Sequence, residues 1–362
     1  MKKIFNIFLG ISTLIFCLSI FNTASALNVV FSEDRPDLRT LDPRITQSRH
    51  EEMIIVQMFD QLISADSNGN LYPGLAKSWD VSSDGLHYTF NLRDDVTFHD
   101  GTKFDAAAVK ATFDSIVDPE TGSQGAVDIL GPYASSDVVD EYTVRVNFSR
   151  RYGSALSAFT ETELSIVSPT ALDSLGNDGF GMSPVGTGPF MFTNWEANKK
   201  VEMVKNPDYN WAPEYMDGSG PSKVDTLTYR LIKDTSTRVA ALESGEVDIA
   251  ELVPPLDMKR FDGSGKLNTI VGTVSGLPYS AFLNTTVGHF QDIKVRQAFF
   301  YSLDRVKMTN DLFFGYAEAA FGPISSATPS YWKGNEDYYQ YNTAKAESLL
   351  EEAGWTMGSS GF

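Results

Sequence analysis

The residues best suited to catalysis or metal binding are scattered along this chain rather than clustered. The four histidines, His50, His87, His99 and His289, are far apart, with no pair at helical spacing. The chain lacks both the His-Glu-x-x-His motif of zinc proteases and the Gly-x-Ser-x-Gly motif that presents a nucleophilic serine. His87 and His99 alternate with apolar residues, which predicts surface or edge positions on strands. The sequence therefore predicts no catalytic residues and no metal site.

The acidic residues also lack the spacing of a site. Asp94–Asp95 and Glu351–Glu352 are adjacent pairs, and adjacent side chains on a strand turn or a helix point apart. Residues 66–70 (Asp-Ser-Asn-Gly-Asn) are similar to the start of a calcium loop. An EF-hand, however, needs glycine at its sixth position and glutamate at its twelfth, where this chain has Leu71 and Lys77. We therefore interpret residues 66–70 as a turn.

The charge balance limits the range of partners. The chain has 47 acidic and 29 basic residues, a net charge of −18. This excess repels nucleic acid and anionic lipid, so binding to either is not expected. A solvated acidic surface that keeps an exported protein in solution explains the excess better than a cationic ligand does.

The first 26 residues have the pattern of a secretory signal. Lys2 and Lys3 precede an apolar run, and Ala24-Ser25-Ala26 offers a small-residue cleavage site. The run is short and interrupted for a membrane anchor, which needs about 20 apolar residues. A bulky residue before Cys17 disfavours a lipid-modified cysteine. We expect cleavage, periplasmic localisation and a mature protein without cysteine, because Cys17 is the only one.

The region from Tyr72 to Ile116 has the clearest pattern of secondary structure. Apolar and polar residues alternate from Leu86 to Arg93, which is typical of a half-buried strand. Asp100-Gly101 favours a tight turn. Asp105 then has the position of an N-cap for a helix that runs to Ile116. A small α/β unit is predicted here.

The residues of this region carry a resemblance to a known family. The segment reads PGLAKSW, then SSDGLHYTFNLRDDVTFHDGTKFDA, and it resembles the signature of family 5 extracytoplasmic solute-binding proteins of ABC transporters, the peptide- and nickel-binding type. Three further segments are similar to the family: Leu41-Asp42-Pro43, the Gly-Thr-Gly-Pro run at 186–189, and residues 240–248. The resemblance covers nearly all of the chain after the signal.

The resemblance implies an α/β, periplasmic-binding-protein-like, two-lobed fold of class II or cluster C type, with an extra N-terminal α/β domain. Lobe I is expected to combine residues 27–47 and 180–265, with the extra domain at 48–179 between them. Residues 266–362 are expected to begin lobe II. Because members of the family continue well beyond this length, the chain is expected to be truncated at its C terminus, with lobe II incomplete.

The implied function is capture of a di- or oligopeptide between the lobes, with delivery to a membrane permease. The protein is expected to be a monomer without a cofactor. A nickel-chelate carrier is the alternative within the family, while a secreted hydrolase would need a catalytic set. A non-functional remnant is the third alternative, and it predicts uncovered apolar surface at Val295, Phe299, Leu303, Leu349 and Leu350.

Two segments are the candidate ligand contacts implied by the resemblance. Arg39 and Thr40 lie just before the Leu-Asp-Pro segment, where members of the family approach the ligand from lobe I. Ser275, Gly276 and Tyr279 lie where a strand is expected to enter the junction between the lobes, and Tyr279 could offer a hydroxyl group or a stacking face.

The remaining elements follow from periodicity. Residues 51–62 place five apolar residues on one side of a predicted helix, and residues 345–353 predict the last helix. Residues 201–206, 224–232 and 280–284 are predicted strands.

Overall fold

The computed structural model describes residues 26–31, 38–216, 218, 220–328 and 330–358. The predicted signal, including Cys17, lies outside the described residues except for Ala26. These residues form eleven β-strands: β1 (Ala26–Phe31), β2 (Ile63–Ala65), β3 (Leu71–Pro73), β4 (Ala76–Val81), β5 (His87–Leu92), β6 (Tyr133–Asp140), β7 (Thr143–Phe148), β8 (Phe190–Glu196), β9 (Lys200–Lys205), β10 (Thr226–Leu231) and β11 (Ile249–Ala250).

The same residues form ten α-helices: α1 (Arg49–Ile55), α2 (Ala106–Val117), α3 (Gly125–Leu130), α4 (Ala155–Ala158), α5 (Pro169–Met182), α6 (Thr235–Ser244), α7 (Pro255–Ser264), α8 (Ile293–Tyr301), α9 (Arg305–Phe313) and α10 (Thr343–Glu352). No helix of the described ranges is long and apolar enough to cross a membrane.

A five-stranded sheet joins the first strand to strands nearly two hundred residues later. Its order is β11-β1-β10-β9-β8. Strand β1 runs parallel to β10 and β11, while β8, β9 and β10 are antiparallel. Helix α6 connects β10 to β11. Asp234 caps this helix by accepting a hydrogen bond from the backbone N–H of Thr237 at 2.7 Å, and Gly245 ends it in the left-handed conformation.

A second sheet, of order β4-β5-β7-β6, is entirely antiparallel. In β5 the residues alternate between half-buried and buried, as the sequence predicts. The buried face packs on α2, whose predicted N-cap is confirmed because Asp105 accepts a hydrogen bond from the Ala108 N–H at 2.9 Å. Phe90, Phe113 and Phe159 meet in this core.

Each sheet has its own hydrophobic core. The core of the antiparallel sheet takes in most of the buried residues between Leu62 and Ile166, together with Tyr209 and Trp211. The core of the five-stranded sheet combines residues of α1 and the turn after it with Phe180, Phe190 and Tyr229. The segment between Met58 and Leu62 passes from one core to the other.

Two predicted elements differ from the observed ones. The helix predicted at 51–62 ends at Ile55, and the backbone tightens into shorter turns up to Phe59. This releases the Met58 carbonyl, which accepts the N–H of Gly188 at 2.9 Å. The strand predicted at 280–284 is not formed, because no described segment pairs with its backbone and a strand requires such a partner.

The remnant alternative predicts uncovered apolar surface around Val295 and Leu349, and this prediction is wrong for these two residues. Their exposed fractions are 8% and 6%, and Leu349 packs with Ala298 between α8 and α10. Exposed large apolar residues are found along much of the described chain, including several between 270 and 287 and four on α9, a helix with no buried residue.

Candidate functional site

The candidate contact residues Arg39 and Thr40 form a fixed loop after β1. The loop is held by Glu51 of α1, which is 3% exposed. One carboxylate oxygen of Glu51 accepts the backbone N–H groups of Arg39 at 2.6 Å and Thr40 at 3.3 Å. Its other oxygen accepts the hydroxyl of Thr46 at 2.7 Å. The Arg39 side chain remains exposed, whereas Thr40 is half-buried and its hydroxyl accepts the N–H of Asp42 at 3.0 Å.

A buried ion pair between Asp42 and Arg44 also stabilises this loop. The side chains of Asp42 and Arg44 are fully buried and their closest N–O distance is 2.6 Å. The Arg44 guanidinium also donates hydrogen bonds to Ser115 and Asn177, both at 3.1 Å. These partners belong to α2, which packs in the core of the antiparallel sheet, and to α5, which packs in the core of the five-stranded sheet, so the pair ties the loop to both cores. A buried charge needs such complete pairing, which makes Arg44 a structural residue.

The Gly-Thr-Gly run at 186–188 lies against the turn after α1. A Cβ atom on Gly188 would lie 2.5 Å from the carbonyl carbon of Met58, and one on Gly186 would overlap the Met58 carbonyl oxygen. Only glycine fits at these two positions. The backbone of this run therefore lies directly against the backbone at Met58.

Asp60, which the sequence analysis did not single out, is the hydrogen-bonding centre of this junction. Its carboxylate accepts hydrogen bonds from Thr187 Oγ1 at 2.8 Å, Trp211 Nε1 at 2.9 Å and Tyr209 OH at 3.1 Å. Burial raises the pKa of Asp60, while these three donors act in the opposite direction. No local pattern identifies Asp60, because its partners are 127 to 151 residues away.

His99 is the one predicted surface residue whose position is wrong. Its Nε2–H donates to the Gly188 carbonyl at 2.9 Å and its backbone N–H donates to the Gly186 carbonyl at 2.9 Å. Its Nδ1 is buried without a hydrogen-bond partner among the described atoms. Burial lowers the pKa of His99 to about 4, so the ring is neutral near pH 7. His99 therefore has a structural role, because it binds the backbone of the Gly-Thr-Gly run at 186–188.

The second candidate segment, residues 275–279, lies in a stretch without helix or strand. The Gly276 N–H donates to the Thr328 hydroxyl at 2.8 Å, and the Gly276 carbonyl accepts the Ser325 N–H at 2.8 Å. Ser275 is exposed, and Tyr279 is fully exposed at 104%. The backbone of Gly276 is thus occupied, whereas the side chains of Ser275 and Tyr279 are accessible.

The structure does not bring the two candidate segments into one pocket. Across the described ranges, no hydrogen bond or ion pair joins residues 39–40 to residues 275–279. Two shallow hollows, of about 310 and 400 Å³, are lined by residues around Lys200 and around Met308 respectively. Neither hollow includes a predicted contact residue.

The residues considered for chemistry have local structural roles. The His87 ring is 2.6 Å from the Asn147 side-chain oxygen. Asp66 accepts two backbone N–H groups and the Asn70 amide, which lower its pKa and close the predicted turn. Among the described residues, no group of three or more His, Cys, Asp or Glu side chains is placed to hold a metal ion.

The fold is that of α/β periplasmic binding proteins. NikA from Brucella suis, solved in complex with Fe(III)-EDTA, is similar with a TM-score of 0.76 and 27% identity, over 92% of this chain and 65% of that chain. DppA from Helicobacter pylori, solved in complex with the peptide STSA, is similar with a TM-score of 0.72 and 26% identity, over 92% of this chain and 67% of that chain.

The family follows from the sequence comparison. Residues 70–362 match the family model for bacterial extracellular solute-binding proteins, family 5, and the chain belongs to this family. The glutathione-binding protein GsiB of Pectobacterium atrosepticum is 31% identical over 319 residues, which are 88% of this chain and 60% of GsiB. The chain thus spans less than two thirds of the length of this relative. The family consists of solute-binding proteins rather than enzymes.

Proposed function

We propose that this chain is the larger part of a periplasmic binding protein that captures short peptides and delivers them to the permease of an ABC importer. The family match over residues 70–362 carries this proposal. The peptide class is supported by the similarity to GsiB, because glutathione is itself a tripeptide, and to DppA, which was solved with a bound peptide.

The proposed mechanism is closure of two lobes around the solute. Residues 27–47 and 180–265 form lobe I, residues 48–179 form the extra domain, and residues 266–362 begin lobe II. The carboxylate of Glu51, here called the Glu51 clamp, supports a ligand contact on lobe I, because it fixes the backbone of Arg39 and Thr40, which follow the parallel strand β1 in the chain. Ligands of open α/β sheets bind beyond the carboxyl ends of such strands. Closure excludes water and strengthens each polar contact.

The proposed ligand contacts form two groups. We call the loop of Arg39 and Thr40 the fixed side of the site, and the exposed segment 275–279 the open side. Arg39 on the fixed side has an exposed guanidinium that can pair with a peptide carboxylate. Thr40 positions the loop, because its hydroxyl is already bonded to the Asp42 N–H. Ser275 and Tyr279 on the open side have accessible hydroxyl groups, and Gly276 fixes the turn that presents them.

A nickel chelate is the second candidate ligand. NikZ from Campylobacter jejuni, solved in complex with Ni(L-His), is similar with a TM-score of 0.72 and 27% identity, over 93% of this chain and 64% of that chain. A chelated metal does not require a cluster of protein ligands, so the scattered histidines are compatible with this candidate.

A thermal-shift screen tests the proposal and separates the candidates. The full chain, purified after export, is mixed with di- to pentapeptides, with glutathione, and with nickel in the presence or absence of histidine. A ligand at about 100 times its Kd stabilises the folded state by about 2.7 kcal/mol, which raises Tm by several degrees. A peptide that raises Tm supports the proposal, a response to nickel–histidine alone favours the alternative, and no response to any of them contradicts both.

The Tyr279→Ala variant tests the contact assignment in the same screen. Tyr279 and Tyr341 are both exposed, so neither substitution should unfold the protein. We expect Tyr279→Ala to reduce the ligand-dependent shift and Tyr341→Ala to leave it unchanged. Equal shifts in both variants would show that Tyr279 is not a contact.

A further inference from the structure

Helix α5 ends in a glycine-rich turn, although glycine is one of the residues that helices disfavour most. The backbone of α5 is interrupted at Gly176, which has a φ of 67°, and it is helical again up to Met182. Gly181 lies in this last turn and is buried. Alanine at this position would favour the helix itself, so the presence of glycine requires a reason in the packing around it.

The space beside Gly181 is occupied by Thr40, in the loop after β1. A Cβ atom on Gly181 would overlap Thr40 Oγ1. The next nearest atoms are the Cβ atoms of Thr40 and Asp42, at 3.5 and 3.8 Å, which are ordinary van der Waals distances. A methyl group at position 181 would therefore displace the Thr40 hydroxyl and nothing else nearby.

The Thr40 hydroxyl cannot turn away without losing a hydrogen bond, because it accepts the Asp42 N–H at 3.0 Å. The next backbone group of the loop is bound by α5 directly, since the Leu41 N–H donates to the Gly181 carbonyl at 2.8 Å. This carbonyl belongs to the last turn of α5, where carbonyl groups have no partner within the helix. Gly181 thus binds the loop through its backbone and leaves room for the hydroxyl that fixes it.

We infer that Gly181 is a positioning residue of the proposed solute site, and that its lack of a side chain increases the affinity for the solute. The inference rests on the proposed function, in which the exposed Arg39 guanidinium binds the solute. The Glu51 clamp holds the backbone of Arg39 and Thr40, and Gly181 holds Leu41. A loop that is already ordered loses little conformational entropy on binding, so a loosened loop should bind the solute more weakly.

The test variant is Gly181→Ala, and Gly179→Ala is the matched control in the same turn. Among the described residues outside the helix backbone, a Cβ atom on Gly179 meets only the Leu175 Cβ, at 3.2 Å, and Leu175 is exposed. Hydrogen exchange of the full chain without solute reports on the Leu41 and Asp42 N–H groups. Calorimetric titration with glutathione and with the tetrapeptide STSA measures affinity, and thermal unfolding measures stability separately.

In Gly181→Ala we expect exchange of the Asp42 N–H to be about five- to tenfold faster, because its acceptor is displaced. Affinity should fall roughly three- to tenfold, whereas Gly179→Ala should match the wild type in both measurements. In a Thr40→Ala background Gly181→Ala should change neither quantity, because the group that it displaces is gone.

Unchanged exchange in Gly181→Ala would overturn the positioning role, whether or not a solute binds. Faster exchange with unaltered affinity would overturn the link to the solute. Equal effects in Gly179→Ala, or effects that persist in the Thr40→Ala background, would indicate a general defect of α5 and would also overturn the inference. A wild type that binds neither glutathione nor STSA would count against the proposed function and the affinity effect, while exchange still decides whether Gly181 positions the loop.

Discussion

Removing the side chain of Asp60 should destabilise the protein, because its carboxylate is the acceptor for three buried donors. Asp60→Asn keeps the shape, and its single amide oxygen can still accept from Thr187 and Trp211 as neutral bonds. Its NH2 group then faces Tyr209 OH, which must accept a hydrogen bond instead of donating one. Bonds to a charged group contribute about 1.5–3 kcal/mol and neutral bonds about 0.5–1.5 kcal/mol. Relief of carboxylate desolvation offsets this loss, because burial raises the pKa of Asp60 despite the three donors. The free energy of unfolding of Asp60→Asn should therefore differ from that of the wild type by less than about 1 kcal/mol at pH 7.

Asp60→Ala should destabilise the protein more than Asp60→Asn does. It leaves three donors without an acceptor, and each unpaired buried donor costs about 1–3 kcal/mol. With the relief of carboxylate desolvation subtracted, we expect the free energy of unfolding to fall by about 3–5 kcal/mol. Urea unfolding followed by tryptophan fluorescence measures both values. Asp80→Asn is the matched control, because Asp80 is exposed on β4 and should change stability by less than about 0.5 kcal/mol.

The pH dependence gives a second readout for Asp60. Burial raises its pKa in the folded state above the ordinary value of 3.8. In the pH range just above 3.8 the folded protein therefore binds more protons than the unfolded chain, and stability falls as pH rises through the folded pKa. The advantage of wild type over Asp60→Asn should grow as pH is lowered from 7. Equal urea midpoints for Asp60→Asn and Asp80→Asn at every pH would refute the role assigned to Asp60.

Three further outcomes are expected. Gly188→Ala should cost about 3–5 kcal/mol in thermal unfolding because its Cβ meets backbone, while Gly153→Ala, with nothing within 4 Å, should be nearly neutral. The folded state holds His99 neutral, with its pKa lowered from 6.5 to about 4, so its contribution of about 3 kcal/mol is lost as pH falls through that window. His99→Gln should therefore flatten urea stability between pH 6.5 and 4, and an unchanged slope would contradict this. Glu51→Ala should speed hydrogen exchange at the Thr40 N–H, and unaltered protection would show that the clamp is dispensable.

An element could be predicted from the sequence when the interactions that define it join residues close together in the chain, and not when they join distant residues. The strand at β5, the cap at Asp105 and the helix at α10 were predicted because alternation and capping act over a few residues. The helix from residue 51 was predicted too long, because its end depends on a backbone contact with Gly188, far away in sequence. His99 was misplaced for the same reason, since its apolar neighbours on one strand do not reveal the segment that covers it.

The sequence by itself determined the family and the α/β class, because its motifs and local periodicity can be recognised without coordinates. The need for glycine at positions 186 and 188 became evident only from their contact with Met58. The sequence also proposed Arg39, Thr40, Ser275, Gly276 and Tyr279 as contacts, and these assignments stay predictions. Only the tertiary structure revealed the Glu51 clamp and the Asp60 centre, because their partners converge through folding. It also showed that residues 280–284 are not a strand, since a strand depends on the backbone that pairs with it and not on its own residues alone.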